Sequence, residues 1–212
     1  MVELKEVISS DDKSSICNGI LRALPEWFGI EVAIVGYTKQ VRTLPFYAAY
    51  DNSRPVGFIA LKVHNPFAAE VCVMGILEEY HRSGIGKKLV ALCEEHCMER
   101  DIEFLTVKTL DGSAESKGYE RTRLFYLSVG FKPLEVFPLL WDENNPCLYM
   151  AKTLKGRGEP GQAYAGAVNE IFSEYPPGTT DGHSVPDAGG GAEGTISAKA
   201  TSCAALPAVG RM

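Results

Sequence analysis

The chain has 212 residues, of which 45% are hydrophobic, so it is long enough for one globular domain with a sizeable core. Its formal net charge of −6 and its pI of about 5.3 argue against a general nucleic-acid-binding protein, which usually has a basic surface. No apolar run reaches the ~18 residues that a membrane-spanning helix needs, and the acidic N-terminal stretch lacks the pattern of a secretory signal. We therefore expect a cytoplasmic protein that binds neither nucleic acid nor membranes.

Strand and helix patterns alternate along the first 154 residues. Period-two alternation predicts a strand over 2–8, and a capped stretch with Ile16, Ile20 and Leu24 on one stripe predicts a helix over 9–24. The other predicted elements are, in chain order, a helix over 29–44, two strands around a turn at 51–55, a hydrophobic central strand over 68–77, a helix over 86–100, a strand over 102–110, a helix capped by Ser113 that ends at Gly130, and two strands joined by a turn at 141–146. This order, β-α-α-β-β-β-α-β-α-β-β, predicts an α/β domain with one mixed sheet.

The composition changes near residue 155. Residues 155–212 are rich in Gly, Ala and Pro and show no sustained hydrophobic period. Such a segment buries too little apolar surface to offset the conformational entropy lost on ordering. We therefore predict a domain over residues 1–154 and a disordered C-terminal extension over residues 155–212.

The cysteines show no disulfide framework. Cys93 and Cys97 lie on one helical stripe, and together with His96 they could be drawn as metal ligands, but no second ligand pair has zinc-like spacing. We interpret them as buried thiols in a reduced protein and expect no metal.

The stretch EEYHRSGIGKKLV, residues 78–90, concentrates basic side chains at the start of a predicted helix. Lys87 and Lys88 stand at the positive end of the helix dipole, where acidic residues are favoured. A strand, a glycine turn and a helix start together present free backbone N–H groups that bind an anion, and Gly84 and Gly86 would let the backbone approach that ligand. The pattern predicts a phosphate site; the alternative is a tight turn with a solvated basic surface.

This stretch resembles motif A of the GNAT superfamily of N-acetyltransferases, [Q/R]-x-x-G-x-[G/A] after a hydrophobic strand. His81 stands at the Gln/Arg position, which is a departure from the pattern, and both glycines match. The resemblance implies a mixed, splayed central sheet flanked by helices, and acetyl-CoA as co-substrate. It implies that the pantetheine arm pairs with the backbone of one strand and that the turn holds the pyrophosphate. The implied cofactor-binding residues are Met74, Gly75, Ile76, His81, Arg82, Ser83, Gly84, Ile85, Gly86 and Lys87.

A second motif lies at the end of the last predicted helix. TRLFYLSVGF resembles the family's Y-x-x-x-G-F element, with Tyr126, Gly130 and Phe131 in place. Tyr119 and Arg123 replace residues usual in the family, so the contacts of those residues are not carried over. At 100° per residue, Leu124, Phe125, Leu127 and Val129 share one broad face, and Tyr126 lies nearly opposite its middle. Tyr126 is then either a rim aromatic or a residue whose hydroxyl faces the ligand cleft.

The resemblance implies direct attack of an acceptor amine on the thioester through a tetrahedral intermediate. An alkylammonium must first lose a proton, which costs about 4–5 kcal/mol at pH 7. Tyr126 would protonate the departing thiolate, and backbone N–H near Ile76 would stabilise the oxyanion. Glu70 on the central strand is our first choice of base, with Glu79 and His64 as alternatives.

By resemblance, the regions around Trp27, Phe28 and Trp141 line the side of the acyl acceptor. Both tryptophans have acidic neighbours in sequence, a combination that suits a cation. We therefore expect a small amine such as a polyamine, an amino acid or an aminoglycoside-like compound; the alternative is that both tryptophans close the core. A protein amine as acyl acceptor, a non-catalytic acyl-CoA-binding or regulatory module, and a homodimer remain open.

Overall fold

The computed structural model describes residues 1–154, which form seven strands and four α-helices in the predicted order. The tail predicted at 155–212 lies outside the described residues. The helices are Ser10–Arg22 (α1), Glu31–Gln40 (α2), Ile85–Met98 (α3) and Lys117–Ser128 (α4), and the strands are Val2–Glu6 (β1), Phe46–Asp51 (β2), Arg54–Asn65 (β3), Ala68–Ile76 (β4), Phe104–Leu110 (β5), Lys132–Asp142 (β6) and Asn145–Thr153 (β7).

All seven strands form one sheet in the order β1-β2-β3-β4-β5-β7-β6. The β4–β5 pair is parallel, whereas the other neighbours are antiparallel. A parallel pair needs a crossover connection, and α3 provides it between β4 and β5. The predicted mixed α/β sheet flanked by helices is confirmed.

The sheet opens at its centre. Pairing between β4 and β5 stops at Val71 opposite Val107, although β4 continues to Ile76 and β5 to Leu110. The β3–β4 register skips Cys72, which is therefore a bulge residue that increases the local bend and twist of β4. Beyond this point the two strands splay and leave one edge of β4 unpaired.

The start of α4 differs from the sequence prediction. Ser116, and not Ser113, is the N-cap, and its side chain accepts a hydrogen bond from the Tyr119 backbone N–H. Ser113 instead donates its backbone N–H and its hydroxyl to the Asp111 carboxylate, which fixes a turn after β5. Both serines follow turn residues, so the sequence alone did not separate a helix cap from an Asx turn.

Strand β6 forms one edge of the sheet and is exposed along most of its length. Leu134 and Leu139 are 61% and 71% exposed. Pro133 and Pro138 interrupt its row of backbone N–H groups, as is usual for edge strands.

Among the helices of residues 1–154, none is long and apolar enough to cross a membrane. The same residues contain no group of three or more His, Cys, Asp or Glu side chains that could hold a metal ion. Cys93 and Cys97 are buried and unpaired, and burial raises the pKa of both thiols. His96 lies beside them but makes a hydrogen bond of 2.9 Å between its Nδ1 and the Tyr47 hydroxyl.

Candidate active site

A cavity of about 760 Å³ lies where β4 and β5 part. The ends of both strands, the loop after β4, the start of α3 and one side of α4 form most of its wall. All the predicted site residues line it except Glu70 and Ser83. Those that line it are Trp27, Phe28, Met74, Gly75, Ile76, His81, Arg82, Gly84, Ile85, Gly86, Lys87, Tyr126 and Trp141.

The unpaired edge of β4 presents backbone groups to this cavity. The Leu77 N–H donates to the Val56 carbonyl on β3 at 2.9 Å. Because hydrogen-bonding direction alternates along a strand, Gly75 also bonds toward β3, while the N–H and C=O of Met74 and Ile76 point the other way. An extended ligand chain with amide groups could pair with this edge as an added strand would.

The start of α3 forms the predicted cup of backbone N–H groups. Gly84 is its N-cap with φ of +83°, and Arg82 has φ of +60°, a conformation uncommon for a non-glycine residue. No side chain caps this helix start, so its first N–H groups remain available to a ligand. Arg82 and Lys87 line the cavity and have no ion-pair partner within residues 1–154, whereas Lys88 is exposed outside the lining. Two positive side chains without ion-pair partners, beside free backbone N–H groups, suit the binding of a diphosphate.

The two glycines of the motif serve different purposes. A Cβ at Gly84 would meet nothing within 4 Å, which leaves that backbone open to a ligand. A Cβ at Gly86 would lie 2.9 Å from a ring carbon of Phe125 on α4 and 3.2 Å from Cδ1 of Ile76. The absence of a Cβ at Gly86 therefore makes room for the Phe125 ring, and the approach of its backbone to a ligand stays a prediction.

His81 connects the loop to the edge of β4. Its Nε2 donates a hydrogen bond of 2.8 Å to the Ile76 carbonyl oxygen, because that oxygen can only accept. Its ring also contacts Trp27 edge-on, with ring centroids 5.7 Å apart. The histidine at the Gln/Arg position thus braces the strand end from which the loop departs.

Tyr126 is buried on the inner side of α4 and lines the cavity. Its ring packs on Phe131 with centroids 5.4 Å apart, and no described residue hydrogen-bonds its hydroxyl. Burial raises the pKa of Tyr126, with a smaller contribution from Cys93, so the phenol is protonated at neutral pH. Leu124 and Leu127, which were predicted to share the face opposite Tyr126, are 59% and 47% exposed. The buried side of the helix at this point is therefore the side of Tyr126.

Glu70 is 2% exposed and does not line the cavity. Its Oε2 accepts hydrogen bonds from Lys108 Nζ at 2.7 Å and His64 Nε2 at 2.8 Å. Burial alone would raise the pKa of the Glu70 carboxyl, but these two hydrogen bonds and the Lys108 charge lower it overall. The alternative base Glu79 pairs with Arg54 at 3.2 Å at the surface.

Trp27 and Trp141 line the same cavity, but their acidic neighbours do not. Glu26 pairs with Arg121 at 2.8 Å, and the Arg121 guanidinium lies 5.3 Å from the centroid of the Trp27 ring. Asp142 accepts hydrogen bonds inside its own turn, from the Asn144 N–H and the Asn145 side chain. Within residues 1–154, the cavity wall therefore does not combine the two tryptophan rings with the carboxylates that follow or precede them in sequence.

Sequence reasoning missed several residues of the wall. Lys108 and Thr109 lie at the end of β5, Tyr37 extends from α2, and Phe125 lies on α4. The detectable signal was in the stretch IEFLTVKTL, where two adjacent polar residues, Lys108 and Thr109, lie near the end of a central strand. Polar side chains at that position are typical of a ligand site at a strand end.

Comparison with known proteins agrees with this geometry. The sequence model of the acetyltransferase (GNAT) family matches residues 16–131, which confirms the resemblance seen in the two motifs. An aminoglycoside 6'-N-acetyltransferase complexed with coenzyme A is 20% identical, with a TM-score of 0.60 over 74% of this chain and 99% of that one. The ribosomal-protein-S18-alanine N-acetyltransferase from Escherichia coli is 15% identical, with a TM-score of 0.59 over 76% and 99% of the two chains.

A third similar structure is the aminoglycoside 6'-N-acetyltransferase from Enterococcus faecium, at 20% identity and a TM-score of 0.58 over 74% of this chain and 99% of that one. At such identities the likeness establishes the fold. Among curated protein sequences no match was found.

Proposed function

Since this chain belongs to the GNAT family of acetyltransferases, we propose that it transfers the acetyl group of acetyl-CoA directly to a primary amine of a small acyl acceptor. The observation that carries the proposal is the meeting of an unpaired strand edge and a basic helix start in one cavity. These two features suit the amide-containing arm and the diphosphate of one ligand.

The described residues fit coenzyme A. The N–H groups at Gly84, Ile85 and Gly86 would hold the pyrophosphate, with Arg82 and Lys87 neutralising its charge. The backbone groups of Met74 that point away from β3 would align the pantetheine arm along β4, since the Ile76 carbonyl is already bonded to His81. Acetyl-CoA, when bound, supplies an activated thioester, and the Ile76 N–H is our proposed donor to the oxygen on which charge develops.

Two residues would move protons in this proposal. Tyr126 is protonated at neutral pH and lies on the cavity wall, so it could protonate the departing thiolate. Glu70 is the proposed base, acting on the ammonium of the acyl acceptor through a water molecule or through Lys108, since the carboxylate itself does not reach the cavity. Its ionised state supports this role, whereas its lowered pKa makes it a weaker base.

The alternative is a non-catalytic acyl-CoA-binding module, which would need the basic helix start but no protonated group beside the thiol. Acetylation of a protein amine is the other alternative, and the similar structures include enzymes named for an aminoglycoside and for a ribosomal-protein alanine. These names do not choose between a small molecule and a protein.

Thiol release from acetyl-CoA, measured over a panel of small amines and of peptides with a free N-terminus, tests the proposal. Release that depends on a small amine supports it. Release only with peptides would move the function to protein acetylation. CoA binding with no thiol release from any amine would favour the non-catalytic module.

We propose that residues 1–154 are the whole catalytic domain. Leu154 is 6% exposed, and its N–H donates to the Glu103 carbonyl at 2.7 Å, so the fold needs the chain as far as this residue. A chain shortened after Leu154 should keep its melting temperature and its affinity for CoA. Loss of either would assign a role to residues 155–212.

A further inference from the structure

A pair of aromatic rings, Phe28 and Tyr37, lines the cavity, and we propose that this pair binds the ring of an aromatic acyl acceptor with a single amine. The inference rests on the proposed acetyl transfer and specifies its substrate class. The molecule to be acetylated would present its amine to the thioester and its aromatic body to the pair.

The two rings belong to the wall of the cavity and not to the closed core. Phe28 lies in the segment between α1 and α2, and Tyr37 lies on α2. Their ring centroids are 6.1 Å apart at an interplanar angle of 83°, which is an edge-on contact of the kind that aromatic pairs prefer. Both residues are half-buried and both line the cavity, so a ligand ring could join the pair as a third member.

The pair lies near the proposed reaction centre. Burial raises the pKa of Tyr37, and smaller contributions come from Cys72, Tyr119, Glu70 and Tyr126. Electrostatic contributions of this kind fall with distance, so the Tyr37 hydroxyl lies close to the bulge of β4 and to the inner side of α4. Tyr126, the proposed proton donor to the thiolate, is on that side.

Hydrogen bonds of the neighbouring residue Trp27 fix the backbone that carries Phe28. The Trp27 Nε1 donates to the Thr122 hydroxyl at 3.1 Å, and the Trp27 carbonyl accepts from the Tyr119 hydroxyl at 2.8 Å. Both partners lie on α4, and the Phe28 N–H donates to the Leu24 carbonyl at 2.9 Å. The Phe28 ring is therefore held in place before a ligand arrives, which lowers the entropy lost on binding.

The charged groups near this wall are paired with one another. Lys108 contacts Glu70 at 2.7 Å, and Arg121 contacts Glu26 at 2.8 Å. Glu78 is the one carboxylate among the cavity-lining residues in the described part of the chain, and it lies in the loop that carries the cations of the diphosphate site. An acyl acceptor with several ammonium groups would leave some of them without a carboxylate, and burial of an unpaired charge is costly. A single amine avoids this cost.

Four amines test the substrate class through kcat/KM for acetyl transfer. We expect 2-phenylethylamine to exceed ethylamine by about 30-fold, because its ring is buried on binding. It should exceed 2-cyclohexylethylamine, which has a ring of six carbons without aromatic character, by about threefold or more. A second ammonium should make 1,4-diaminobutane at least about tenfold worse than 2-phenylethylamine.

Equal values for the phenyl and the cyclohexyl amine, or a preference for 1,4-diaminobutane, would overturn the inference and leave the proposed function in place. If no amine supports thiol release, the proposed function fails. Calorimetric titration of the protein with N-acetyl-2-phenylethylamine and with its cyclohexyl counterpart, in the presence of CoA, then decides the inference. Tighter binding of the phenyl compound supports it, and equal or undetectable binding overturns it.

Variants with a matched control locate the ring site. Phe28→Leu and Tyr37→Leu should each abolish the preference for the phenyl over the cyclohexyl amine, whereas Tyr37→Phe keeps the ring and should keep the preference. Phe137→Leu is the control, since Phe137 contacts Tyr149 edge-on with centroids 6.2 Å apart but does not line the cavity. An unchanged preference in both cavity variants, or an equal loss in Phe137→Leu, would overturn the inference.

Discussion

The imidazole of His81 holds the carbonyl oxygen of Ile76 at 2.8 Å, and so it ties the loop after β4 to the edge that faces the cavity. His81→Ala would leave that carbonyl without its protein partner and should lower stability by about 1 kcal/mol. It should also weaken CoA binding, because the Ile76 edge and the loop would no longer be held in register. Thermal unfolding and calorimetric titration with CoA measure both effects.

The matched control is His81→Gln, which restores the residue type of the family motif and keeps an N–H donor on a similar reach. We expect its CoA affinity to stay within a few-fold of the unmodified protein. Tight CoA binding by the alanine variant would show that the hydrogen bond to Ile76 has no part in forming the site.

Charge reversal at the start of α3 should separate ligand binding from helix stability. Arg82→Glu and Lys87→Glu should each weaken CoA binding by about tenfold or more, through loss of a charge-assisted contact with the diphosphate. Lys87→Glu should at the same time stabilise the empty protein by up to about 1 kcal/mol, because an acid suits a helix N-terminus. Lys88→Glu is the control, since Lys88 does not line the cavity; equal loss of affinity in all three variants would refute the site.

Tyr126→Phe should reduce turnover by about 10²–10⁴ without loss of stability. The hydroxyl has no described hydrogen-bond partner, so folding loses nothing when it is removed. The burial-raised pKa also means that Tyr126 causes no fall in rate up to about pH 10. Tyr119→Phe is the control for folding: its hydroxyl donates to the Trp27 carbonyl at 2.8 Å, and its loss should cost about 1 kcal/mol. Unchanged turnover in Tyr126→Phe would remove this residue from the mechanism.

His96 should make the protein sensitive to acid. Burial lowers the pKa of His96, with a further contribution from Arg100, and Glu6 and Glu99 oppose the shift only partly. Because the unfolded chain then binds the proton more readily than the folded one, stability is full above about pH 6.5 and falls as the pH drops below it.

One group contributes at most about 1.4 kcal/mol per pH unit to this slope. Urea unfolding between pH 7.5 and 5 should therefore show a decline that His96→Gln reduces. Glu70 titrates separately: its lowered pKa gives stability that is lost only as the pH falls below about 4.3, the value of an unperturbed glutamate. A slope between pH 7.5 and 5 that persists in His96→Gln would assign it to other groups.

Most of the fold could be predicted because its signals are local. Hydrophobic periodicity placed the eleven helices and strands in their observed order, and the glycine turn with its flanking cations identified the helix start that faces the cavity. The error at α4 was also local, since Ser113 and Ser116 carry the same capping chemistry and only the Asp111 turn distinguishes them.

Most lining residues could be predicted from the two motifs and from the family resemblance, whereas the contacts between residues distant in sequence could not. Glu70 is joined to Lys108 across 38 positions of sequence, and Gly86 meets Phe125 across 39. Such contacts depend on the sheet register and on how α3 packs against α4, neither of which has a periodic signal. For the same reason the acids beside Trp27 and Trp141 were expected to face the ligand, although Glu26 and Asp142 are bound elsewhere.

The two prolines of β6 have a consequence for the protein in concentrated solution. An edge strand of eleven residues with exposed leucines can pair with strands of other protein molecules and so promote aggregation. Pro133 and Pro138 have no backbone N–H, so a strand from another molecule would lack two hydrogen-bond donors along β6. Replacing both prolines with valine should therefore increase aggregation through this edge strand.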